Sequence, residues 1–337
     1  MKIPWGRTIL SLTCVAALIA LRLVSGSTNS RPSGSVKIQR TLMGTLWSIE
    51  AIDRGHPEEA RHAIDSAYAE LARIDNLMSE WKPESPVSQV NAAAGLRAVR
   101  VPAELREILQ RSIRYSEITE GTFDVTWRGM GNFWHFDDTF VVPTQAAVAT
   151  ARKNIDYRAI RIEGDSVFLP AGKNIGLGGI AKGYAIDRAA RVLAHAGFPD
   201  SLVDGGGDVL ASGTRNGQPW RLGIQAPRRE HGEILGVASV SGMALVTSGD
   251  YERFRIVNGI RYHHIIDPRT GWPATASISV SVLARTAEEG VVLAKGIFIL
   301  GPEKGLDLAR SAGVEAMAID PQERQYFTNG FRRACEQ

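Results

Sequence analysis

The fold depends most on residues 262–271, which read Tyr262-His263-His264-Ile265-Ile266-Asp267-Pro268-Arg269-Thr270-Gly271. The stretch holds imidazoles, a carboxylate, a guanidinium and a hydroxyl, and its proline and glycine predict a turn after an apolar pair. Upstream, residues 246–251 are typical of a strand that ends in a polar turn, and residues 260–266 of the next strand. We predict a hairpin of these two strands that presents His264 beside Ser248. Two interpretations stay open: a functional cluster, or a hairpin whose histidines only hydrogen-bond the backbone.

The composition is that of a globular protein with a substantial core. The chain has 337 residues, of which 44% are hydrophobic and 22% charged, enough for one large or two moderate domains. The formal net charge is +3, from 39 basic and 36 acidic residues that form no basic block. This charge distribution gives no support to nucleic-acid binding.

The N-terminus differs from the rest of the chain. Lys2 and Arg7 precede the apolar run 8–21 and the small residues 24–27, which is the layout of a secretory signal peptide. We therefore predict a signal peptide, or an uncleaved N-terminal anchor, over residues 1–27, a polar linker over 28–36 and a single domain over 37–330. This layout predicts that the protein is exported, or anchored to a membrane through its N-terminus. Cleavage would leave only Cys335, so no intramolecular disulfide is expected.

Hydrophobic periodicity predicts an α+β fold. Apolar residues recur three and four apart after Pro57 and after Pro102, which indicates two amphipathic helices, and a helix pair is predicted near residues 288–300 and 302–312. Strand and hairpin patterns dominate the second half without regular β-α alternation. We predict largely antiparallel sheets with flanking helices rather than a doubly wound parallel sheet.

A glycine-rich segment, residues 176–183, precedes a predicted helix. Gly176, Gly178 and Ala181 have the spacing of a dinucleotide fingerprint, but no acidic residue for a ribose follows at the required distance. The same glycines, the helix N-terminus and Lys182 could still form a phosphate-binding loop. The alternative is a tight strand-to-helix turn with an exposed lysine.

Several of these stretches together resemble the FAD:protein FMN transferase family, the ApbE-like flavin transferases. The similar segments occur in the family's order and are residues 43–45, 78–81 with Ser85, Ser88 and Asn91, 121–126, 178–184 with Asp187, 205–208, 248–251 and 264–271. The resemblance implies a two-lobed fold with FAD in the cleft between the lobes. It also implies transfer of the FMN part of FAD to a threonine or serine of an acceptor redox protein, with release of AMP. Members of the family are exported in bacteria, so the resemblance implies a place in the periplasm or at the outer face of the bacterial inner membrane.

The resemblance also implies site residues. It gives His264 the role of catalytic base, oriented by Asp267 or Asp250, and adds Ser248 and Lys182 to the catalytic set. The residues implied to contact FAD are Met43, Trp81, Thr122, Phe123, Asp124, Gly176, Gly178, Gly179, Lys182, Thr270 and Lys295.

The chain departs from the family at the positions that hold Mg²⁺. The family has Asp and Thr ligands where this sequence has Val291 and Lys295, beside a backbone ligand at Gly179, and it commonly has an Asp at the position of Gly176. A lysine without the ligating aspartate contributes about the same net charge as Mg²⁺ with it, so Lys295 could replace the ion as a charge. Glu288 and Glu289 are alternative ligands if the helix shifts.

Three functions are therefore compared. The first is a flavin transferase, with or without a requirement for metal, which is favoured because His264, Asp267 and Ser248 are retained. The second is an FAD-binding carrier or scaffold with reduced catalysis, favoured by the altered metal positions. The third is an FAD pyrophosphate hydrolase, which would use the same groups with water as the acceptor.

Overall fold

The computed structural model describes residues 34–131, 133–230 and 232–336. The predicted signal peptide or anchor and most of the predicted linker lie outside these ranges. Among the helices inside them, none has the length and apolar character needed to cross a membrane.

Helices and strands interleave along the chain without a repeating order. The helices are α1 Pro57–Met78, α2 Pro86–Ala92, α3 Ala103–Ile118, α4 Gln145–Arg152, α5 Ala181–His195, α6 Ala287–Leu300, α7 Pro302–Ala312 and α8 Asn329–Cys335, with 3-10 helices at Val125–Met130 and Tyr157–Ala159. The strands are β1 Ser35–Leu42, β2 Thr45–Ile52, β3 Val99–Arg100, β4 Arg161–Glu163, β5 Ser166–Phe168, β6 Ser201–Gly205, β7 Val209–Ser212, β8 Trp220–Gln225, β9 Ile234–Val240, β10 Met243–Gly249, β11 Phe254–Val257, β12 Ile260–His263, β13 Ile266–Asp267, β14 Trp272–Pro273, β15 Ser279–Ala284, β16 Glu315–Ile319 and β17 Gln325–Phe327.

One eight-stranded sheet is the centre of the fold, with strand order β1-β2-β6-β7-β10-β15-β16-β17. Every neighbouring pair in it is antiparallel. Along β16, Ala316 and Ala318 belong to one hydrophobic cluster and Met317 and Ile319 to another, so alternate side chains enter cores on opposite faces. The larger cluster includes α1, α5 and α6, and the smaller includes β8, β9 and α8. The predicted α+β class is confirmed.

The predicted hairpin of residues 246–251 with 260–266 is wrong. Residues 246–249 belong to β10, which is buried in the central sheet between β7 and β15. The partner of β12 is instead β11, in a separate two-stranded hairpin that pairs Phe254 with His263. Asn258 and Gly259 form its two-residue turn with φ of 52° and 78°, the left-handed conformation that such tight turns require.

Helices α5 and α6 cross closely at Gly183, and this crossing positions the candidate site. A Cβ added to Gly183 would lie 2.4 Å from the carbonyl oxygen of Ala287 and 2.7 Å from Val291 Cγ2. Because the first of these atoms belongs to helical backbone, a side chain here could be accommodated only by separating the helices.

We therefore expect the Gly183→Ala variant to lower the free energy of unfolding. Overpacking costs about 1–3 kcal/mol and would exceed the gain of about 1 kcal/mol from replacing a helical glycine. Urea unfolding followed by circular dichroism measures the difference. Gly236→Ala is the matched control, because no atom lies within 4 Å of the added Cβ in strand β9. Equal stability of both variants would contradict the tight crossing.

Candidate active site

The two adjacent histidines have different surroundings. His263 is 3% exposed; its Nε2 lies 2.7 Å from the carbonyl oxygen of Ala274, and its Nδ1 accepts the N–H of Ile265 at 3.3 Å. The backbone-bonding interpretation therefore holds for His263. His264 follows the end of β12, where its N–H donates to the carbonyl oxygen of Arg253 at 3.1 Å, and its side chain is exposed.

Part of the His264 ring is exposed to solvent, but many protein atoms lie around it and limit its hydration. This desolvation, followed by the positive charge of Lys295, holds the pKa of His264 well below its usual value, and His263 and Arg253 add to the effect. The ring is therefore neutral at pH 7. A neutral, accessible imidazole can accept a proton from a hydroxyl.

Lys295 lies on α6 beside this histidine. Its Nζ donates to the carbonyl oxygen of Val291 at 3.0 Å, and the side chain is half-buried. Burial lowers the pKa of Lys295 to about 8, with Asp208 opposing the shift and Lys182 adding to it. Lys295 acts on the pKa of His264, and Asp208 and Lys182 act on the pKa of Lys295. The fold therefore brings side chains from four separate parts of the chain close to Lys295 or its neighbours.

Lys182 lies in the first turn of α5. Its Nζ is 3.3 Å from Asp208 Oδ2. No side chain caps this N-terminus, whereas α6 is capped by Thr286, which accepts from Glu289 N–H, and by Asp187, which accepts from Ala287 and Glu288 N–H. An uncapped helix N-terminus beside a lysine attracts an anion. These groups are compatible with the phosphate-loop interpretation, which stays a prediction, and Lys182 is already paired with Asp208.

The glycines of this loop allow other groups to approach it. A Cβ on Gly179 would lie 3.0 Å from the Phe123 ring and 3.9 Å from Lys295 Cδ, and one on Gly178 would lie 4.0 Å from Glu80 Oε1. Burial raises the pKa of Glu80, although hydrogen bonds from the backbone of Glu80 itself and of Leu177 act to lower it. Sequence reasoning did not assign Glu80 a role, although it belongs to the quoted segment 78–81.

Trp81 and Met43 lie at turns. The Trp81 side chain is 71% exposed, and the guanidinium of Arg128 lies 4.9 Å from its ring centroid. Met43 and Gly44 make the two-residue turn between β1 and β2, with φ of 48° and 72°. The next residue, Thr45, contacts Gly206, because a Cβ there would lie 2.4 Å from Thr45 Oγ1. This hairpin tip therefore borders the loop that carries Asp208.

The two carboxylates predicted to orient His264 are hydrogen-bonded to arginines instead. Asp267 accepts the N–H, Nε and Nη2 groups of Arg269 at 2.8–2.9 Å, and Asp250 pairs with both terminal nitrogens of Arg228 at 2.7 Å. Neither is hydrogen-bonded to His264 in the described part of the chain, so the predicted orienting role is not seen. Ser248 is buried at the end of β10, and Thr270 Oγ1 lies within the turn, 3.4 Å from the carbonyl oxygen of Asp267.

The predicted FAD-contacting turn at residues 122–124 uses its polar groups internally. Thr122 Oγ1 donates to the carbonyl oxygen of Thr119 at 2.7 Å. Asp124 accepts from the N–H and hydroxyl of Thr126 at 2.7 and 2.6 Å and from the N–H of Tyr157 at 3.0 Å. Of the three residues, Phe123 is the one whose side chain reaches the glycine loop. The Asp124 carboxylate therefore stabilises its own loop, and its implied contact with FAD stays a prediction.

Comparison with known proteins identifies the family to which the chain belongs. A model of the ApbE family matches residues 43–318. The chain belongs to the ApbE family. It is 32% identical over 303 residues to the FAD:protein FMN transferase of Treponema pallidum, covering 84% of this chain and 84% of that protein. The predicted family membership is confirmed.

Solved ApbE structures share the fold. The ApbE protein of Thermotoga maritima matches with a TM-score of 0.84 and 26% identity, over 90% of this chain and 100% of that one. The flavin transferase ApbE of Vibrio cholerae matches with a TM-score of 0.81 and 27% identity, over the same shares of the two chains.

The magnesium implied by the ApbE family does not fit the residues present. Val291 is 2% exposed and packs against Gly183, and Lys295 places an ammonium where a ligand is expected. At Gly176, an added Cβ would lie 3.0–3.1 Å from the Trp127 indole, which also donates Nε1–H to the Gly176 carbonyl at 3.0 Å. An aspartate at this position would therefore have to displace Trp127.

The predicted substitute ligands in this ApbE-family chain are also placed unfavourably. Glu288 is bound by Arg111 at 2.7 and 3.0 Å. Glu289 lies in the first turn of α6, and its pKa is raised by burial. Over the described ranges, no group of three or more His, Cys, Asp or Glu side chains could hold a metal ion.

Proposed function

We propose that this protein transfers the FMN part of FAD to the hydroxyl of a threonine or serine in an acceptor protein. The proposal is supported by relatives named FAD:protein FMN transferase. The observation that carries it is the neutral imidazole of His264 beside the ammonium of Lys295, at an uncapped helix N-terminus that bears Lys182. His264 suits the role of base, Lys295 supplies a cation, and the helix N-terminus with Lys182 can bind an anion, so together they suit one diphosphate.

The step balances as a phosphoryl transfer. The acceptor oxygen attacks the phosphorus on the FMN side, a new P–O bond forms, and the P–O bond to AMP breaks. The hydroxyl proton passes to His264. The charge that develops on the departing AMP phosphate lies near Lys182 and Lys295, whose ammonium groups stabilise it more than they stabilise the ground state.

We propose further that the reaction needs no divalent cation. Lys295 supplies a positive charge in the region where the family is expected to place Mg²⁺, and Val291 and Gly176 offer no ligand. A lysine gives charge without octahedral geometry, so the diphosphate would be oriented by the loop backbone and Lys182. The N-terminal sequence supports export, with the acceptor in the same compartment.

The function is tested by incubating the purified protein with FAD and a candidate acceptor domain. We expect the acceptor to gain the mass of FMN and an equal amount of AMP to appear. AMP and free FMN without a modified acceptor would instead identify an FAD hydrolase. FAD binding without AMP would identify a carrier, which is the candidate that the altered metal positions favour.

A further inference from the structure

An apolar groove lies between the segment 133–142 and the hairpin of β11 and β12. One wall is formed by Phe140, Val141 and Val142, and the other by Val257, Asn258, Ile260 and Tyr262, so the lining is apolar apart from Asn258 and the Tyr262 hydroxyl. Val141 is 75% exposed and Ile260 is 56% exposed. Aliphatic side chains that face solvent together across a groove are typical of protein-interaction surfaces.

The walls of this groove are held in place by ring packing. Trp134 stacks on Tyr262 with centroids 6.2 Å apart, and it packs edge-on against Trp272 at 5.4 Å. Its indole N–H donates to the Gly271 carbonyl at 2.9 Å, and Phe140 contacts Tyr262 at 5.9 Å. The exposed side chains therefore sit on a preformed surface, which lowers the entropic cost of binding.

The groove leads to the candidate catalytic base. Strand β12 begins at Ile260 in the groove wall and ends at His263, so His264 is the next residue. At about 3.4 Å per residue, Ile260 lies roughly 14 Å along the strand from His264. Arg255, on the same hairpin face as Tyr262, is paired with Asp138 at 2.7 Å, so its charge is balanced within the chain.

We propose that this groove binds the segment of the acceptor protein that carries the modified hydroxyl. This inference rests on the proposed function, which requires a polypeptide to reach His264. An extended segment with its hydroxyl at His264 would place a residue about four positions away beside Ile260 and Val141. The groove therefore selects acceptors with a large aliphatic residue at about that spacing.

Two other occupants fit the observations less well. A second copy of this chain seated in the groove would lie next to His264 and hinder an acceptor. A flavin diphosphate is attracted to Lys182 and Lys295, whereas the groove walls are apolar. The acceptor segment is the occupant that both the apolar surface and its continuity with His264 favour.

The test uses the full chain, FAD and short synthetic peptides that contain one threonine in an alanine and glycine background. One peptide has a leucine about four residues before the threonine, one has it about four residues after, and one has none. We expect kcat/KM for FMN incorporation, measured by mass spectrometry, to be higher for one leucine peptide than for the peptide without leucine, by a ratio of about tenfold or more. In the Val141→Ser/Ile260→Ser double variant, that ratio should fall towards one.

Leu96→Ser is the matched control, because Leu96 is 80% exposed and lies in a turn outside the groove. It should keep the wild-type ratio. Equal rates for all peptides in the wild type, or an unchanged ratio in the double variant, would overturn the groove proposal while leaving the transferase intact. Absence of FMN transfer to every peptide would also overturn the groove proposal. If a candidate acceptor domain stayed unmodified too, the proposed transferase function itself would have failed. A shift from dimer to monomer on gel filtration of the double variant would assign the groove to a second copy instead.

Discussion

Replacing His264 by alanine should reduce FMN transfer by about 10²–10⁴-fold, the usual contribution of a positioned general base. FAD binding should remain, because the proposed anion site consists of Lys182, Lys295 and the N-terminus of α5 and does not include His264. Transfer is measured as FMN mass added to the acceptor, and binding as quenching of flavin fluorescence. His62→Ala is the control, since this exposed histidine on α1 lies outside the site.

The pH dependence gives this prediction a second measurement. The pKa of His264 is lowered in the free protein, so the ring stays in its basic form as the pH falls through 6.5, and activity is lost only below that. A bound diphosphate would raise the pKa by its negative charge. The acid limb of kcat should therefore lie at higher pH than the acid limb of kcat/KM for FAD. A variant lacking His264 that retains the wild-type rate would eliminate it as the base.

Local patterns predicted the regular elements well. The helix from Pro57, with its proline and acidic first turn, occurs as Pro57–Met78, and the predicted pair near the C-terminus occurs as Ala287–Leu300 and Pro302–Ala312. Pro57–Met78 and Pro302–Ala312 each bury one apolar face whose spacing is visible in the sequence, whereas Ala287–Leu300 is apolar and buried on nearly all sides. Such periodicity depends only on neighbours within a few turns of the same helix.

The pairing of strands was less predictable. Residues 246–249 were predicted to pair with 260–266, but β10 is buried between two distant strands and its apolar run reflects burial on both faces. The Asn258-Gly259 pair was the signal for the correct hairpin, because these residues tolerate the positive φ of a two-residue turn. A continuous apolar run does not identify its partner strand.

The candidate site was predicted in part. The resemblance selected His264, Lys182 and Lys295, which the fold brings close enough to influence one another's charge. It also selected Asp124 and Asp267, whose oxygens hold a loop and an arginine. A carboxylate that stabilises a turn and one that faces a substrate have the same side chain, so the distinction needs the partners that only the fold supplies.

Chelation should leave FMN transfer unchanged, whereas Lys295→Met should reduce it by about 10²–10³-fold, the effect of removing one preorganised charge from a transition state. Methionine fits the half-buried position without the ammonium, so packing against Val291 is largely kept. Transfer is measured with EDTA, with added Mg²⁺ and with neither. Lys304→Met, at an exposed lysine on α7, is the matched control. Activity that EDTA abolishes and Mg²⁺ restores would contradict the role of Lys295.

The titration of Lys295 shows whether the lower activity of Lys295→Met comes from loss of the ammonium charge or from altered packing. Its pKa in the free protein is about 8, so the ammonium is present below that pH and is lost as the pH rises through it. A bound diphosphate favours the charged form, so FAD binding above pH 8 must take up a proton. FAD affinity should therefore weaken above pH 8, and below pH 8 it should stay constant down to the range in which His264 titrates. Lys295→Met should bind FAD more weakly and lack this transition, because the titrating group has been removed; if the variant kept the same pH dependence, another cation would have to hold the diphosphate.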